Sequence, residues 1–428
     1  MKILQTGTTP ALPRRGFLKQ SFLAGSAAVS WTALSSRRVL GANDRLGFGV
    51  IGTGGRGHSH LDAIDKLKAD HNLAIVAVCD AFRPRLQAAA GRYSVPKQYM
   101  DHRELLQDPN VDAVSIATPD HWHGYQALDA IEAGKDVYCE KPVTHWRQFE
   151  LTKRLAHAVE KSNQVFQLGT QGMSDGAWSL MRQLVQDGLI GQLIHAECGF
   201  FRIGDWGERG MPIDDPNAKP GDDLKWETFL GDSPERPFDV SRFFRWRMYR
   251  DYAGGPATDL FPHSLTPTLN IMGVGMPGEV VAVGGILRYE EREVPDTYNM
   301  LINYPERITV ACLGTQGNSY NATGARGSGQ RIPVIRGWEG SLTVEKDEVV
   351  FIPVEGSKAE PRRFPIEKGE SFLDFYSSFI TCIRKRQKET LSPMHLAYKV
   401  QTTLHMGMLA LHSGKTAQFD REKEEIVI

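Results

Sequence analysis

The stretch Gly47-Phe48-Gly49-Val50-Ile51-Gly52-Thr53-Gly54-Gly55-Arg56-Gly57 determines the predicted fold. Its apolar run from Phe48 to Ile51 is typical of a buried strand. Gly52, Gly54 and Gly57 then follow in the G-x-G-x-x-G spacing, which allows a tight turn, close approach of a pyrophosphate and close packing of a helix. A helix over about residues 58–68 would point its free N–H groups at the phosphates. The stretch therefore predicts a strand–turn–helix unit that binds a dinucleotide.

An acidic residue after the second predicted strand supports this interpretation. The apolar run Leu73 to Cys79 ends in Asp80, which lies 23 residues after Gly57, close to where a carboxylate binds the ribose. A carboxylate accepts a hydrogen bond from the ribose 2′-OH and repels a 2′-phosphate, so NAD is predicted in preference to NADP, although the nearby Arg83 weakens that preference. The alternative is a tight turn in an ordinary α/β protein.

Length and charge restrict the class of protein. With 428 residues the chain exceeds one typical domain, so two domains are expected. The formal net charge is −1 and the sequence has no basic run, which argues against a nucleic-acid partner. After the first forty residues no stretch reaches the roughly 18 apolar residues that a membrane helix requires, so no membrane span is expected in the mature chain.

The N-terminal residues 1–42 resemble an export signal. Arg14-Arg15-Gly16-Phe17-Leu18-Lys19 is a twin-arginine pattern, and the apolar, small-residue run Ser21 to Leu34 follows it. We expect a Tat-type signal that is cut between Ser35 and Ala42, and therefore a periplasmic or otherwise exported protein. An amphipathic or membrane-anchoring N-terminus is the alternative, because no clean A-x-A site is present.

Cysteines and histidines give little support for a metal site. The five cysteines are odd in number and lack C-x-x-C spacing, so they are interpreted as packed thiols. Two H-x-H pairs, His58/His60 and His121/His123, could chelate zinc, but no third ligand is obvious in the sequence near either pair. No metal is expected, and His121 and His123 are predicted to line the nicotinamide or sugar pocket instead.

The remaining pattern predicts an α/β protein with two domains. Residues 43–165 alternate strands and helices, as in a Rossmann domain with a parallel sheet. Two of its strands deliver Thr118-Pro119-Asp120-His121-Trp122-His123 and Glu140-Lys141-Pro142 to the carboxyl edge, where ligands bind in open α/β sheets. Residues 166–428 are rich in β-segments and end in helical patterns, which indicates an α+β domain with a large, mainly antiparallel open sheet.

These features together resemble the Gfo/Idh/MocA oxidoreductases. The resemblance rests on the glycine loop with Asp80, the strand end Ala117-Thr118-Pro119, the tripeptide Glu140-Lys141-Pro142, and Gly254-Gly255-Pro256-Ala257-Thr258-Asp259-Leu260-Phe261-Pro262-His263. The last stretch is similar to the family's glycine pair followed by D-x-x-x-H. Two departures are Phe261, where the family usually has glycine, and Thr266, where an acid is often found.

The resemblance implies an N-terminal Rossmann domain, a C-terminal open-sheet domain and activity on sugars or cyclitols. It assigns Lys141, Asp259 and His263 as the catalytic lysine, aspartate and histidine. A histidine suits removal of the hydroxyl proton during hydride transfer, and a lysine suits stabilisation of negative charge on the oxygen. The alternatives are a core or helix-cap histidine and a solvated surface lysine.

The segment Arg242 to Tyr252 is aromatic and basic, which suits a sugar but could equally dock the two domains. From it we predict Arg250 and Tyr252 as substrate-binding residues, together with Lys141, Asp259 and His263. The expected cofactor contacts are Gly52, Thr53, Gly54, Gly55, Arg56, Gly57, Asp80, Thr118, Pro119, His121, His123, Glu140 and Lys141.

The sequence thus predicts an exported NAD-dependent oxidoreductase that acts on a carbohydrate or polyol and holds its nicotinamide tightly. A glycoside-cleaving enzyme that uses NAD transiently, by oxidation, elimination and re-reduction, is the alternative. A binding protein that has lost catalysis is disfavoured, because all three catalytic residues are present. A homo-oligomer is expected.

Overall fold

A six-stranded parallel sheet forms the N-terminal part of the protein. The computed structural model describes residues 44–204 and 210–428, so the predicted signal at 1–42 lies outside the described residues. Within them the sheet has the order β3-β2-β1-β4-β5-β6, with all neighbours parallel, which is the doubly wound order of a Rossmann fold. Its strands are β1 (Leu46–Ile51), β2 (Leu73–Cys79), β3 (Lys97–Tyr99), β4 (Ala113–Ile116), β5 (Asp136–Glu140) and β6 (Phe166–Gly169).

Both faces of this sheet are buried. Phe48 and Val50 of β1 belong to one apolar cluster and Ile51 to another, because successive side chains of a strand point to opposite faces. This explains why the strand reads as a continuous apolar run instead of an alternating one.

Helices connect the strands and cover the sheets. Those described are α1 (Gly55–His71), α2 (Arg83–Tyr93), α3 (His102–Leu106), α4 (Asp120–Glu132), α5 (Phe149–Lys161), α6 (Gly176–Gln186), α7 (Trp226–Leu230), α8 (Val240–Phe244), α9 (Pro256–Asp259), α10 (Phe261–Met272), α11 (Phe372–Lys385) and α12 (Met394–Ser413). None of the helices in the described ranges is long and apolar enough to cross a membrane.

A second, larger sheet follows in the chain. In the described residues it has twelve strands with the path β16-β15-β14-β13-β7-β10-β9-β8-β17-β18, and β11 and β12 lie beside it. These are β7 (Leu193–Phe201), β8 (Glu279–Gly285), β9 (Thr297–Tyr304), β10 (Ile308–Thr315), β11 (Ala325–Arg326), β12 (Gln330–Arg331), β13 (Val334–Gly337), β14 (Gly340–Glu345), β15 (Glu348–Pro353), β16 (Arg362–Pro365), β17 (Ala417–Asp420) and β18 (Glu425–Val427). All pairs are antiparallel except β7 with β10, so the predicted mainly antiparallel sheet is confirmed.

One face of the large sheet is buried. Along β9 the buried residues Tyr298, Met300, Ile302 and Tyr304 alternate with more exposed ones, of which Leu301 is 56% exposed. The buried side packs with α10 and α12, since residues of these helices share its apolar cluster. The alternation is typical of an antiparallel sheet with a single core face.

The two sheets share core elements. The parallel sheet continues through β6, four residues past the predicted boundary at 165. Tyr376 of α11 stacks on Tyr138 of β5 with ring centroids 4.9 Å apart, and Met394 and Ala397 of α12 join the second apolar cluster of the parallel sheet. Residues 46–428 accordingly form one compact unit.

The glycine turn after β1 is fixed by steric contacts. Gly52 has φ of 87°, a conformation that favours glycine, and a Cβ on Gly57 would lie 1.9 Å from the Gly52 carbonyl oxygen. Gly57 therefore allows α1 to start directly against the end of β1, as the glycine spacing predicts.

The replacement Gly57→Ala is expected to destabilise the protein by about 1–3 kcal/mol or more, because neither backbone segment can move away cheaply. Gly55→Ala is the matched control, since a Cβ there meets nothing within 4 Å and alanine favours a helix. The measurement is the free energy of unfolding in urea without added nucleotide. Equal stability of the two variants would contradict this account.

Candidate active site

A cavity of about 730 Å³ lies at the carboxyl edge of the parallel sheet. One wall consists of the glycine loop and the ends of β2, β4 and β5, and the opposite wall comes from residues after β7. The residues on the first wall include Gly52, Thr53, Gly54, Gly55, Arg56, Asp80, Thr118, Pro119, His123, Glu140 and Lys141, and those on the second include Met211, Phe229, Phe243, Trp246, Arg247 and His263. This is the position at which open α/β sheets bind ligands.

The glycine loop presents free backbone donors to the cavity. Helix α1 has no side-chain cap at Gly54 and no acidic residue in its first turn, and Gly55 is exposed. An uncapped helix N-terminus that faces a cavity suits a phosphate, through its free N–H groups and the helix dipole. The predicted phosphate contacts of the loop therefore fit a dinucleotide.

Asp80 is held over this loop. Its Oδ2 accepts hydrogen bonds from the Thr53 backbone N (2.7 Å) and Oγ1 (3.0 Å), and its Oδ1 accepts one from the Phe82 N (2.9 Å). Arg83 forms an ion pair with Asp223 at 3.0 Å and is not among the cavity-lining residues, which removes the main reason from sequence to doubt the NAD preference.

Glu140 is the centre of a buried polar network and not a free ligand. Its Oε1 lies 2.7 Å from Arg56 Nε, 2.9 Å from His60 Nε2 and 2.8 Å from Gln171 Nε2. Burial alone would raise the pKa of Glu140, but the charge of Arg56 and the hydrogen bond from His60 hold that pKa well below its usual range. Glu140 thus orients the end of β5, where Lys141 follows.

Lys141 and Asp259 form an ion pair between β5 and α9. Lys141 Nζ donates to Asp259 Oδ1 at 2.7 Å and to the Asp259 backbone O at 2.6 Å. Burial would raise the pKa of Asp259, but Lys141, Arg247 and Arg202 together lower it strongly, so this group is a carboxylate at neutral pH. Lys141 lines the cavity, and Asp259 is the partner that positions its ammonium group. The predicted contact of Asp259 with the substrate stays a prediction.

His263 lines the same cavity from the first turn of α10. The predicted continuous helix from Asp259 to His263 is interrupted, because α9 ends at Asp259 and α10 begins at Phe261. Burial and the nearby charge of Lys141 lower the pKa of His263 to about 3, so the imidazole is neutral at neutral pH. The two residues that depart from the family's pattern, Phe261 and Thr266, are not among the lining residues of the cavity. Phe261 packs on Tyr298, and Thr266 is fully buried.

Several predicted site residues lie elsewhere. Arg250 is exposed and Tyr252 is 0% exposed among Phe229 and His121, so neither lines the cavity as predicted. His121 is also buried behind the wall, where its Nε2 donates to the Phe229 backbone O at 2.7 Å and burial lowers its pKa to about 4. Within an irregular segment, sequence spacing does not tell which side chains face the cavity.

His123 and Thr118 keep their predicted place. The two ring nitrogens of His123 lie 2.6 Å from the Pro142 O and 2.7 Å from the Thr118 O, so the ring connects the ends of β4 and β5. In the other H-x-H pair, His58 lines the cavity, whereas His60 is hydrogen-bonded to Ser115 and Glu140. Over the described ranges 44–204 and 210–428, no three potential metal ligands come together. All five cysteines are buried thiols, as predicted.

Asp120 and Arg247 belong to the site but were not predicted. Asp120 begins α4 with its carboxylate buried, where Thr258 Oγ1 donates to its Oδ2 at 2.9 Å. Burial raises the pKa of Asp120 to about 7 against the opposing charges of Arg247 and Lys141. Arg247 reaches Asp259 Oδ1 at 3.5 Å. The T-P-D tripeptide and the basic segment contain both residues, but only the tertiary structure brings them to Lys141.

Comparison with known proteins agrees with this geometry. Residues 46–170 match the family described as an oxidoreductase family with an NAD-binding Rossmann fold, Gfo/Idh/MocA. The match covers the parallel sheet, including the glycine loop, Asp80 and Lys141, and the predicted resemblance is confirmed for this part of the chain.

Two curated relatives are similar to part of this chain. Levoglucosan dehydrogenase from Pseudarthrobacter phenanthrenivorans is 29% identical over 211 residues, which is 46% of this chain and 50% of the relative. Inositol 2-dehydrogenase 1 from Saccharopolyspora erythraea is 33% identical over 150 residues, which is 35% of this chain and 44% of the relative. The chain thus spans half or less of the length of these relatives.

A solved structure matches most of this chain in its fold. Levoglucosan dehydrogenase in complex with NADH and L-sorbose superposes with a TM-score of 0.64 at 19% identity, covering 87% of this chain and 98% of that one. At this identity the likeness concerns the fold, which is shared across both sheets.

The replacement Asp120→Asn is expected to change the pH dependence of stability. The folded protein holds the proton of Asp120 more tightly than the unfolded chain does, because the pKa is raised from 3.8 to about 7. The resulting contribution to the free energy of unfolding is fully present below about pH 4 and is lost as the pH rises to about 7. From pH 5 to pH 8, the free energy of unfolding of the variant should therefore rise by on the order of 2 kcal/mol relative to that of the parent.

Urea unfolding at several pH values measures this gain. Asp187→Asn, the same chemical change at an exposed carboxylate, is the control and should follow the parent. Parallel curves for Asp120→Asn and the parent would contradict a raised pKa at Asp120.

Proposed function

We propose that the protein is an NAD-dependent oxidoreductase that transfers hydride between a carbinol carbon of a sugar or polyol and the nicotinamide. The observation that carries the proposal is the position of Lys141, paired with Asp259, and neutral His263 on one cavity with the glycine loop. The relatives named as levoglucosan and inositol dehydrogenases support this substrate class.

The residues divide the reaction between them. Gly52 to Gly57 and Asp80 would hold the dinucleotide, and bound NAD supplies the hydride acceptor. His263 accepts the proton of the substrate hydroxyl as the C–H bond breaks. Lys141 donates a hydrogen bond to the same oxygen and stabilises the negative charge that develops there, and Asp259 keeps the ammonium group in position.

The alternative of redox-neutral glycoside cleavage is not favoured. The relatives described above are named dehydrogenases. Net formation of NADH from a free sugar or polyol is therefore the expected activity.

His263→Ala and Lys141→Met are each expected to lower kcat by about 100-fold or more, because each removes a group that acts on the reacting oxygen. NAD affinity should stay close to that of the parent. The measurement is the absorbance of NADH formed from a panel of sugars and polyols, with NAD binding measured by calorimetry. His395→Ala, an exposed histidine of α12 outside the cavity, is the control. Parent-like turnover of either variant would remove that residue from the mechanism.

We also propose that the protein is exported through the twin-arginine pathway and carries its nucleotide with it. Arg14-Arg15-Gly16-Phe17-Leu18-Lys19 and the apolar run after it support export. Because this pathway moves folded proteins and free nicotinamide nucleotides are expected to be scarce outside the cytoplasm, the enzyme would need to retain its nucleotide. It would reoxidise the NADH in place by reducing a second substrate, so that NADH accumulates only when this second substrate is withheld.

Replacing Arg14 and Arg15 by lysine should leave the chain in the cytoplasmic fraction, whereas the same change at Arg37 and Arg38, outside the motif, should not. Cell fractionation measures where the chain is found.

Mass spectrometry of the denatured exported protein should detect nicotinamide nucleotide. Normal export of the Arg14/Arg15 variant would exclude this pathway, and an exported protein without nucleotide would contradict tight retention.

A further inference from the structure

Among the described residues, four cations line the cavity, and three of them already have a carboxylate close by. Arg56 Nε lies 2.7 Å from Glu140, Arg85 Nε lies 2.5 Å from Asp214, and Lys141 Nζ lies 2.7 Å from Asp259. The fourth is Arg247, whose nearest carboxylate among the described residues is Asp259 at 3.5 Å. That carboxylate oxygen is already bonded to Lys141.

The other contacts of Arg247 are weak acceptors. Its Nη1 lies 3.8 Å from the sulfur of Met211, and its guanidinium packs over the ring of Trp246 at 4.3 Å from the centroid. The side chain is 26% exposed, and it faces the cavity. A thioether and an aromatic face leave most of the five N–H donors of a guanidinium available for a ligand.

The position of Arg247 identifies which part of a ligand it meets. It shares Asp259 with Lys141, the residue proposed to contact the reacting oxygen, so it lies at the substrate end of the cavity. Among the described residues, the carboxylate of Asp259 is shared by three cations, Lys141, Arg202 and Arg247. Burial raises the pKa of Asp120, the other described acidic group near Arg247, and so reduces the negative charge that this group adds. Among the described residues, cations therefore outnumber carboxylates at this end of the cavity.

We propose that the substrate is a sugar acid, whose carboxylate is bound by the guanidinium of Arg247 while the adjacent hydroxyl is oxidised. The planar fork of an arginine matches a carboxylate in two parallel hydrogen bonds, and the stacking on Trp246 fixes the plane of the fork. The inference rests on the proposed function and narrows its substrate class from sugars and polyols in general to uronic and aldonic acids.

Binding is tested first, with the NADH-loaded protein and isothermal titration calorimetry. The probes are D-glucuronate, D-galacturonate and D-gluconate, compared with D-glucose and D-galactose, which lack the carboxylate. At least one acid should bind about 10- to 100-fold more tightly than its neutral counterpart. In Arg247→Gln this difference should disappear, and in Arg247→Lys, which keeps the charge without the fork, it should be partly retained.

Arg154→Gln, the same loss of charge at an exposed position on α5, is the control and should bind the acids as the parent does. Equal binding of acids and neutral sugars by the parent would overturn the inference. So would an equal loss of both classes in Arg247→Gln, because Arg247 would then bind hydroxyl groups. Tighter binding of D-glucose 6-phosphate than of all three acids would overturn it as well, since the anion recognised would be a phosphate.

The formation of NADH separates this inference from the proposed function. Oxidation of neutral sugars without Arg247-dependent recognition of acids would leave the oxidoreductase function in place and overturn the sugar-acid inference. Arg247-dependent binding of an acid with no NADH formed from any probe would support the recognition of sugar acids and count against the oxidoreductase function.

Discussion

The ion pair between Lys141 and Asp259 is the interaction on which the site depends. It joins the end of β5 in the parallel sheet to α9 from the second half of the chain, and both side chains are largely withdrawn from water, with Lys141 9% and Asp259 15% exposed. A buried charge that loses its partner costs several kcal/mol, so the two halves of the site can exist only in the arrangement that keeps this pair together. The hydrogen bond from Thr258 to Asp120 attaches the same helix, α9, to the start of α4.

Much of the first wall could be predicted because its causes are local. Gly52 and Gly57 are required by a turn and a backbone contact that involve only β1 and the start of α1, and these leave a fixed spacing in the sequence. Asp80 and Lys141 follow strands whose carboxyl ends must meet at one edge. In each case the residue's neighbours along the chain determine its place.

The second wall could not be predicted in the same way. The segment that contains Trp246, Arg247, Arg250 and Tyr252 has no regular period, so the facing of each side chain depends on the packing of a separate aromatic cluster. Tyr252 is buried in that cluster, whereas Arg247 is left at the cavity. The place of Asp120 in the site could not be predicted for a related reason. Its raised pKa results from burial by elements more than a hundred residues away in the chain.

The sharing of core residues between distant parts of the chain has a consequence for how the protein is made. Tyr138 of the parallel sheet stacks on Tyr376, and the second face of that sheet receives Met394 and Ala397 from α12. Domains generally fold as units, N-terminal first, during synthesis. Here the nucleotide-binding sheet lacks part of its apolar cover until residues 376–397 have left the ribosome, so its final packing is completed late in translation or after it.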